Sequence, residues 1–338
     1  MLMITQKTII REEKNWLDYL SSAISDPNEL LQRLELPLDS FKNDCAARRL
    51  FPLRVPLPFL DKMEKGNPND PLFLQVMTSA NEFLQVEGFS RDPLEEQDSV
   101  NKVPTILHKY HNRLLLMVKG GCAVNCRYCF RRYFPYSDNQ GSKINWQKGL
   151  DYIAQHSEIE EVIFSGGDPL MAKDRELDWL IDNLAQIPHL QRLRIHSRLP
   201  VVIPQRITSE LCQILATSRL QAVLVTHINH ANEIDDLLTT YLQRLKQVGV
   251  VLLNQSVLLK GINDNAQTLK TLNEKLFCAG IFPYYLHLLD KVEGASHFWL
   301  NDQEALAIYH RLQEISSGYL VPKLAREIAG KGSKTLVV

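Results

Sequence analysis

The sequence lacks two features that would place the protein on nucleic acid or in a membrane. Its 38 Lys and Arg residues nearly balance its 39 Asp and Glu residues, for a net charge of -1, and no basic block stands out. Non-specific nucleic-acid binding therefore has no electrostatic support. No apolar stretch reaches the length of a membrane span, and the stretch Met1 to Arg11 lacks the apolar core of a secretory signal. We expect a cytoplasmic protein with no membrane or direct nucleic-acid partner.

Cysteine is also scarce, and half of it is concentrated in one short segment. Of six cysteines, Cys122, Cys126 and Cys129 stand at the spacing C-x3-C-x2-C, which suits a reducing compartment and a metal site better than a disulfide framework. Three thiolates on one loop can hold three irons of a 4Fe-4S cluster and leave the fourth iron open to a small molecule. A zinc site that recruits His108 or His111 as its fourth ligand is the alternative.

From Arg113 onward, short apolar runs alternate with amphipathic helical patterns. Strands are predicted at Leu114 to Val118, Glu161 to Phe164, Leu193 to His196, Ala222 to Thr226, Val250 to Gln255 and Pro283 to Leu289. Helices are predicted around Trp146 to Gln155, Glu176 to Ala185, Ser209 to Ala216, Glu233 to Val248, Ala266 to Ala279 and Asp302 to Ser316. Six βα units in series indicate an α/β fold, a partial (β/α)6 barrel with outer helices. Chemistry in such barrels lies at the C-terminal ends of the strands, where the cysteine segment is also expected.

The first hundred residues differ from the rest. Residues 15–36 carry apolar residues at helical spacings interrupted by Asp26-Pro27, and residues 44–55 favour a further helix ended by Pro52. Residues 67–100 are rich in Pro, Asp and Asn and are typical of a connector. We therefore expect a helical N-terminal cap and connector over residues 1–105, followed by the barrel over residues 106–338.

A second motif follows the second predicted strand, at Ser165-Gly166-Gly167-Asp168-Pro169. Its two glycines let the backbone approach a ligand closely, and Asp168-Pro169 makes a sharp exit into the next helix. Together with the C-x3-C-x2-C segment, this motif resembles radical S-adenosylmethionine enzymes. The resemblance implies a 4Fe-4S cluster whose open iron binds the amino and carboxylate groups of S-adenosylmethionine. It also implies that the turn of Gly166, Gly167 and Asp168 contacts the amino group of that cofactor.

Longer segments narrow the resemblance to lysine 2,3-aminomutases. They include residues 126–132, 197–208, 226–230, 254–261 and 318–322. This family converts L-α-lysine to β-lysine by radical 1,2-amino migration and uses pyridoxal 5'-phosphate on a Schiff-base lysine. The register from Gly318-Tyr319 places that lysine at Lys334, although Lys331 is close and interrupts the family's glycine run. A frayed basic tail is the alternative for this segment.

The resemblance also implies cofactor-binding residues outside these motifs. Lys109 and Arg113 match contacts to the phosphate of pyridoxal phosphate, and Gln255 matches a residue near that cofactor. His227 matches a residue near the adenosyl group of S-adenosylmethionine. A surface charge or a strand-end hydrogen bond is the alternative for the first three, and a satisfied core histidine is the alternative for His227.

Three further residues match the family's substrate contacts. Arg131 matches the guanidinium that holds the substrate carboxylate, a task that suits its bidentate fork, and a surface patch is its alternative. Asp290 and Glu327 match the two carboxylates that hold the ε-ammonium of lysine. Glu327 stands where the family usually has Asp, so we expect the depth of the lysine pocket to differ.

The chain stops four residues after Lys334 and has no cysteine after Cys278. In this it resembles EpmB-type aminomutases, which supply (R)-β-lysine that the ligase EpmA attaches to translation elongation factor P. The expected partners are thus free L-lysine, a flavodoxin- or ferredoxin-type reductant, and, functionally, EpmA and elongation factor P. The alternatives are a catabolic aminomutase or one for another amino acid, such as glutamate, and a non-catalytic iron-sulfur protein.

Overall fold

The computed structural model describes residues 15–96, 100–139 and 141–337 of the chain. The stretch Met1 to Arg11 and the first part of the expected N-terminal cap lie outside the described residues. Among the residues described, no helix is both long and apolar enough to cross a membrane.

One ten-stranded sheet runs through the protein, and each strand pairs with its neighbours in sequence. The strands are β1 Asn101–Val103, β2 Ile106–Tyr110, β3 Arg113–Lys119, β4 Glu161–Gly166, β5 Arg192–Ser197, β6 Gln221–His227, β7 Val251–Leu258, β8 Phe282–Leu288, β9 Lys323–Arg326 and β10 Thr335–Leu336. Neighbours from β3 to β9 are parallel, while β1, β2 and β3 pair antiparallel with one another in turn, as do β9 and β10. The six predicted strands are β3 to β8, which confirms the parallel α/β sheet.

The six predicted crossover helices are also present, and each buries one apolar face. They are α6 Lys143–Ala154, α7 Asp174–Ala185, α9 Ser209–Thr217, α10 Asp236–Gln247, α11 Ala266–Cys278 and α12 Asp302–Ile315, with a short α8 at Leu199–Val202. Helix α10 begins three residues later than predicted. The Asp235 side chain accepts from the Leu238 amide at 2.8 Å and caps the helix at that point.

The expected boundary at residue 105 falls inside a β-hairpin. Val103 of β1 pairs with Ile106 of β2, and Pro104 and Thr105 form the turn between them, with Thr105 at a φ of 77°. Pro followed by a residue of positive φ is the pattern of a type II turn. The sheet therefore begins at Asn101, and residues 101–105 belong to it.

The N-terminal segment, residues 15–96, consists of short helices. They are α1 Trp16–Ser21, α2 Pro27–Arg33, α3 Lys42–Ala46, α4 Leu57–Leu60 and α5 Pro71–Leu74. The helix predicted over residues 44–55 is wrong in extent, because α3 gives way to a 3-10 turn at Ala47–Arg49. The Leu50 amide donates to the Ala47 carbonyl at 3.0 Å, which is the i to i+3 pattern of a 3-10 turn and not of a continuing α-helix.

The N-terminal segment shares its hydrophobic core with the barrel. Leu30, Phe59 and Phe73 are at most 1% exposed and belong to the same buried cluster as Val162 and Phe164 of β4. The segment is therefore packed into the barrel, and it reaches the carboxyl ends of the strands from one side.

Candidate active site

A cavity of about 450 Å³ lies at the carboxyl ends of the parallel strands. Strand ends supply much of its wall, including Gly166 of β4, Ser197 of β5 and His227 of β6. The cavity is lined by every predicted site residue except Lys109, namely Arg113, Cys122, Cys126, Cys129, Arg131, Gly166, Gly167, Asp168, His227, Gln255, Asp290, Glu327 and Lys334. The fold thus brings both expected cofactor regions to one space.

The cysteine loop, residues 120–130, is anchored from outside by the N-terminal segment. Arg127 is fully buried and donates from Nε to Glu82 at 2.8 Å, and its amide donates to the Gln75 carbonyl at 2.9 Å. The Asn125 amide donates to the Arg54 carbonyl at 3.1 Å. Both backbone and side-chain bonds therefore fix the loop before any metal is considered.

The Gly166-Gly167 turn holds the cysteine loop from the opposite side. The Gly167 amide donates to the Lys119 carbonyl at 2.8 Å, and the Asp168 amide donates to the Gly121 carbonyl at 2.9 Å. Gly166 has a φ of 132°, and a Cβ there would lie 2.1 Å from the Lys119 oxygen. Only glycine allows this approach, so the turn and the loop form one backbone platform.

The Asp168 carboxylate is used within the protein. It accepts hydrogen bonds from the amides of Leu170, Arg198 and Leu199 and from the Ser197 hydroxyl, at 2.7 to 3.0 Å. Burial nevertheless raises the pKa of Asp168. Its side chain therefore ties β4 to the end of β5, and the contact of this turn with the amino group of S-adenosylmethionine stays a prediction.

The chemistry of the three cysteines fits an iron-sulfur cluster. Burial raises the pKa of Cys129 to about 11 and that of Cys122 well above its ordinary value, so a metal cation must replace the proton for these sulfurs to act as thiolates. No group of three His, Cys, Asp or Glu side chains among the described residues is arranged around a single ion. A cluster asks for a different arrangement, since each thiolate binds its own iron.

The histidine proposed above as a zinc ligand lies elsewhere. His108 shares a hydrogen bond of 2.9 Å with the Tyr152 hydroxyl of helix α6, and its ring packs edge-on against His156. Neither His108 nor His111 lines the cavity. The zinc alternative therefore loses its fourth ligand.

A buried polar network backs the cysteine loop. Tyr128 stacks on His227 with ring centroids 5.6 Å apart, and its hydroxyl accepts from Asn229 at 2.7 Å and lies 3.1 Å from His227 Nε2. Burial and the Arg198 cation lower the pKa of His227 to about 3, so its imidazole is neutral at pH 7. One face and one nitrogen of the His227 ring are thus contacted by Tyr128.

The opposite wall carries an alternating series of charges. Lys334 Nζ lies 2.8 Å from Glu327, which lies 2.9 Å from Lys109; Lys109 lies 2.8 Å from Glu96, which lies 2.6 Å from Arg131. Lys334 and Lys109 hold the pKa of Glu327 far below its usual range against the effect of burial. Lys109 is therefore held between two carboxylates, and its contact with the phosphate of pyridoxal phosphate stays a prediction.

Arg131 and Asp290 face the same space with different degrees of pairing. The Arg131 guanidinium grips Glu96 with two nitrogens and donates from a third to the Ser165 hydroxyl at 2.9 Å. Asp290 forms no ion pair with any described residue, and burial together with the Glu327 charge raises its pKa to about 7. A cation that enters the cavity would therefore favour the ionised form of the Asp290 carboxyl group.

Arg113 is a cation without a carboxylate partner among the described residues. It donates to the Asn112 side chain at 3.0 Å and lies over the Tyr110 ring at 4.2 Å. The neighbouring Arg194 is neutralised by Glu161. Arg113 is therefore the cavity arginine best placed to meet an anion.

Comparisons with known proteins agree with this geometry. The model of the Radical SAM superfamily matches residues 116–272. An L-lysine 2,3-aminomutase of Haemophilus influenzae is 68% identical over 99% of this chain and 99% of its own length. The chain belongs to the lysine 2,3-aminomutase family. This radical S-adenosylmethionine family implies a 4Fe-4S cluster and S-adenosylmethionine, and it decides the question that the cysteine spacing left open.

Two other members of this family show how the similarity is distributed. The L-lysine 2,3-aminomutase of Escherichia coli is 60% identical over 98% of this chain and 96% of its own length. That of Clostridium subterminale is 37% identical over 90% of this chain but 73% of its own length. A solved structure described as "Native anSMEcpe with bound AdoMet and Kp18Cys peptide" has 10% identity and a TM-score of 0.45 over 60% of this chain and 59% of that chain, which is too distant to add to this conclusion.

Several cavity residues of this family member were missed by the sequence reasoning. His196 of β5 and His287 of β8 line the cavity, and burial holds the pKa of both well below the ordinary range. His196 Nε2 is buried with no hydrogen-bond partner among the described atoms. Their signal was present, because Arg194 and His196, like Tyr285 and His287, occupy alternate positions and so share one strand face.

Proposed function

We propose that this protein converts L-lysine to (R)-β-lysine with pyridoxal phosphate attached to Lys334. The observation that carries the proposal is the placement of Lys334 in the same cavity as Cys122, Cys126 and Cys129. Residues more than 200 positions apart thus face one space, as a reaction that couples two cofactors requires. Radical generation and electron delocalisation are the chemistry that the cluster with S-adenosylmethionine and pyridoxal phosphate supply when bound.

The wall of the cavity that carries Lys334, here called the lysine side, suits pyridoxal phosphate, which is a phosphorylated aldehyde. Lys334 is partly buried, with Nζ 5.6 Å from the Tyr285 ring centre, whereas Lys331 is exposed and does not line the cavity. Arg113 offers a guanidinium without a carboxylate partner for the phosphate, since arginine binds phosphate through its planar fork. The unpartnered Nε2 of His196 offers a further polar contact in the same wall.

Charge pairing supports lysine as the substrate. Asp290 and Glu327 are two acidic groups facing the cavity, and an ε-ammonium taken from water needs such partners. Arg131 lies nearby with its guanidinium already oriented by Glu96, in position for the substrate carboxylate. A glutamate side chain would meet repulsion from Asp290 and Glu327, which disfavours that alternative.

We assign the product to the modification of elongation factor P. The support is the resemblance of the sequence to EpmB-type aminomutases; the two relatives matched along 99% and 96% of their own length are L-lysine 2,3-aminomutases, which supports the reaction and not the use of its product. A ligase of the EpmA type would consume the (R)-β-lysine, and a flavodoxin- or ferredoxin-type protein would reduce the cluster.

Isotope labelling tests the reaction directly. The full chain is reconstituted anaerobically with iron, sulfide and pyridoxal phosphate, then incubated with S-adenosylmethionine, a reductant and ¹⁵N-α-labelled L-lysine. We expect (R)-β-lysine that carries the label on C3, and no conversion of glutamate. Lysine recovered unchanged from a preparation with full iron and pyridoxal content would contradict the proposal.

A second experiment tests the use of the product. The reaction mixture is passed to an EpmA-type ligase with elongation factor P, and the factor is examined by intact-mass spectrometry. We expect the mass increase of one lysyl group, obtained faster than with L-lysine alone. Equal rates with and without the aminomutase would assign the product to another use.

A further inference from the structure

A buried arginine lies directly behind the cysteine loop. Arg198 follows β5, is 6% exposed, and donates from Nη1 to Cys126 Sγ at 2.8 Å and to the Tyr128 hydroxyl at 2.6 Å. The guanidinium thus donates to Cys126, a predicted cluster ligand, as well as to a carboxylate. The contact therefore joins β5 to the cluster loop through a sulfur atom.

The position of the guanidinium is set by surrounding residues. Its Nη2 donates to Gln75 at 2.7 Å and to Glu233 at 3.0 Å, and its own backbone amide is held by Asp168 at 2.9 Å. Glu233 is itself fully buried and accepts from the Asn229 amide at 2.8 Å. Together with the Tyr128 hydroxyl, these make four contacts besides the bond to sulfur that hold Arg198 in place.

One donor of Arg198 has no partner in the protein. Nε is buried and unpaired among the described atoms, and Arg198 lines the cavity. An unsatisfied buried donor is costly unless a ligand accepts from it. A cluster held by Cys126 brings sulfide acceptors to this side of the loop, so the orphaned Nε is a second observation that fits a cluster here.

We propose that Arg198 raises the reduction potential of the 4Fe-4S cluster by donating to the Cys126 sulfur. Reduction adds negative charge to the cluster and its thiolates, and a hydrogen bond to a ligand sulfur stabilises the reduced form more than the oxidised form. The buried Glu233 limits this effect by pairing with the same guanidinium. Arg198 is thus a positioning and tuning residue, and its role does not depend on pyridoxal phosphate or on lysine.

The test uses the full chain with a reconstituted cluster and without S-adenosylmethionine, pyridoxal phosphate or lysine. Its arginines carry ¹⁵N in the guanidinium, and pulsed electron paramagnetic resonance on the reduced cluster detects nitrogen spins close to it. We expect a ¹⁵N coupling in the wild-type protein that is lost in Arg198→Gln and kept in Arg132→Gln. Arg132 lies three residues after Cys129 and pairs with Glu82 at 2.7 Å without a bond to sulfur.

A redox titration completes the test. We expect Arg198→Gln to lower the ratio of reduced to oxidised cluster about tenfold at a fixed potential, a shift of about 59 mV to more negative values for one electron. Glu233→Gln should shift the potential the other way, because it leaves the guanidinium uncompensated. If Arg198→Gln fails to take up iron, the wild-type ¹⁵N coupling and the Glu233→Gln shift decide. Absence of the coupling in the wild type, or an equal shift in Arg132→Gln, would overturn the proposal.

Discussion

The two sides of the cavity are held in different ways. On the cysteine side, backbone bonds from Gly167 and Asp168 and the fully buried Arg127–Glu82 pair fix the loop. On the lysine side, Lys334 and Glu327 are held by side-chain ion pairs at the cavity wall. The first arrangement suits a cofactor that stays in place, and the second suits groups that exchange partners as charges arrive and leave.

This difference follows from the cost of breaking each arrangement. Removing Glu82, which pairs with both Arg127 and Arg132, leaves two desolvated guanidinium groups and costs about 3 to 5 kcal/mol. Glu327 accepts from two ammonium groups, so when one leaves, the other keeps the carboxylate paired. The lysine side can therefore lose one contact at a time, while the cysteine side cannot.

The largest effect is expected for Cys126→Ala. Three thiolates are the minimum for a cluster with an open iron, so this variant should lose iron-sulfur absorbance and all detectable aminomutase activity. Iron analysis and visible spectroscopy measure the first effect. The lysine side should be unaffected, with pyridoxal phosphate still attached. A Cys126→Ala protein with its full iron content would remove the assignment, and Cys212→Ala, outside the loop, is the matched control.

Lys334→Ala should have the opposite effects on the two sides of the cavity. This variant should keep the cluster and lose covalently attached pyridoxal phosphate, because the two cofactors are anchored on separate segments. Borohydride reduction followed by peptide mapping measures the attachment site. The control is Lys331→Ala, which should retain the label because Lys331 is exposed and outside the cavity. A label found on Lys331 in the wild type would contradict the register.

Asp290→Asn and Glu327→Gln test the substrate contacts of the lysine side. Each should lower kcat/KM for lysine by about thirty-fold to several thousand-fold, equivalent to about 2 to 5 kcal/mol, because the ε-ammonium loses a buried partner. Steady-state kinetics at matched iron and pyridoxal content measures the loss. Glu293→Gln, which removes a carboxylate paired with Arg91 at the surface, serves as the control. Near-wild-type rates in both cavity variants would place the ammonium elsewhere.

The smallest effect concerns pH. The pKa of Asp290 is raised to about 7 by burial and by Glu327, so the carboxyl group is neutral below pH 7 and charged above it. Since the charged form binds an ammonium, kcat/KM for lysine should fall as pH drops below 7, by at most about tenfold per unit. A pH profile between 5.5 and 9 measures this. Asp290→Asn should remove that limb, and an unchanged limb would assign it to another group.

Much of the fold could be predicted because its strands and helices carry clear periodicity. Strands β3 to β8 were located from apolar runs, whereas β9 at Lys323–Arg326 has four residues and β1 has three, which is too short for an alternating pattern to emerge. The extent of α3 depended on where the backbone changes from α-helical to 3-10 geometry, which periodicity does not report. The sheet edges were therefore found only in the structure.

The candidate site divides in the same way. Cys122, Cys126 and Cys129 were predicted from spacing, since their chemistry is local in sequence. The contact between Lys109 and Glu327 joins positions 218 residues apart and has no local signature. Arg198 was part of a segment that matched the family, yet its bond to Cys126 depends on where β5 ends relative to the loop. Tertiary pairing of charges was thus the part that one sequence could not supply.

The seam of the open barrel has a consequence for its motion. Glu327 lies just past β9 and accepts from Lys109 and Tyr110 of β2 at 2.9 and 3.1 Å. In the strand order of the sheet, β2 and β9 stand near opposite ends. The two ends of the sheet are therefore joined there through a carboxylate that also faces the cavity. Local opening of β2 and β9 and ligand binding in the cavity are therefore thermodynamically linked. By reciprocity, a ligand that competes for Glu327 lowers the amide-exchange protection of both strands.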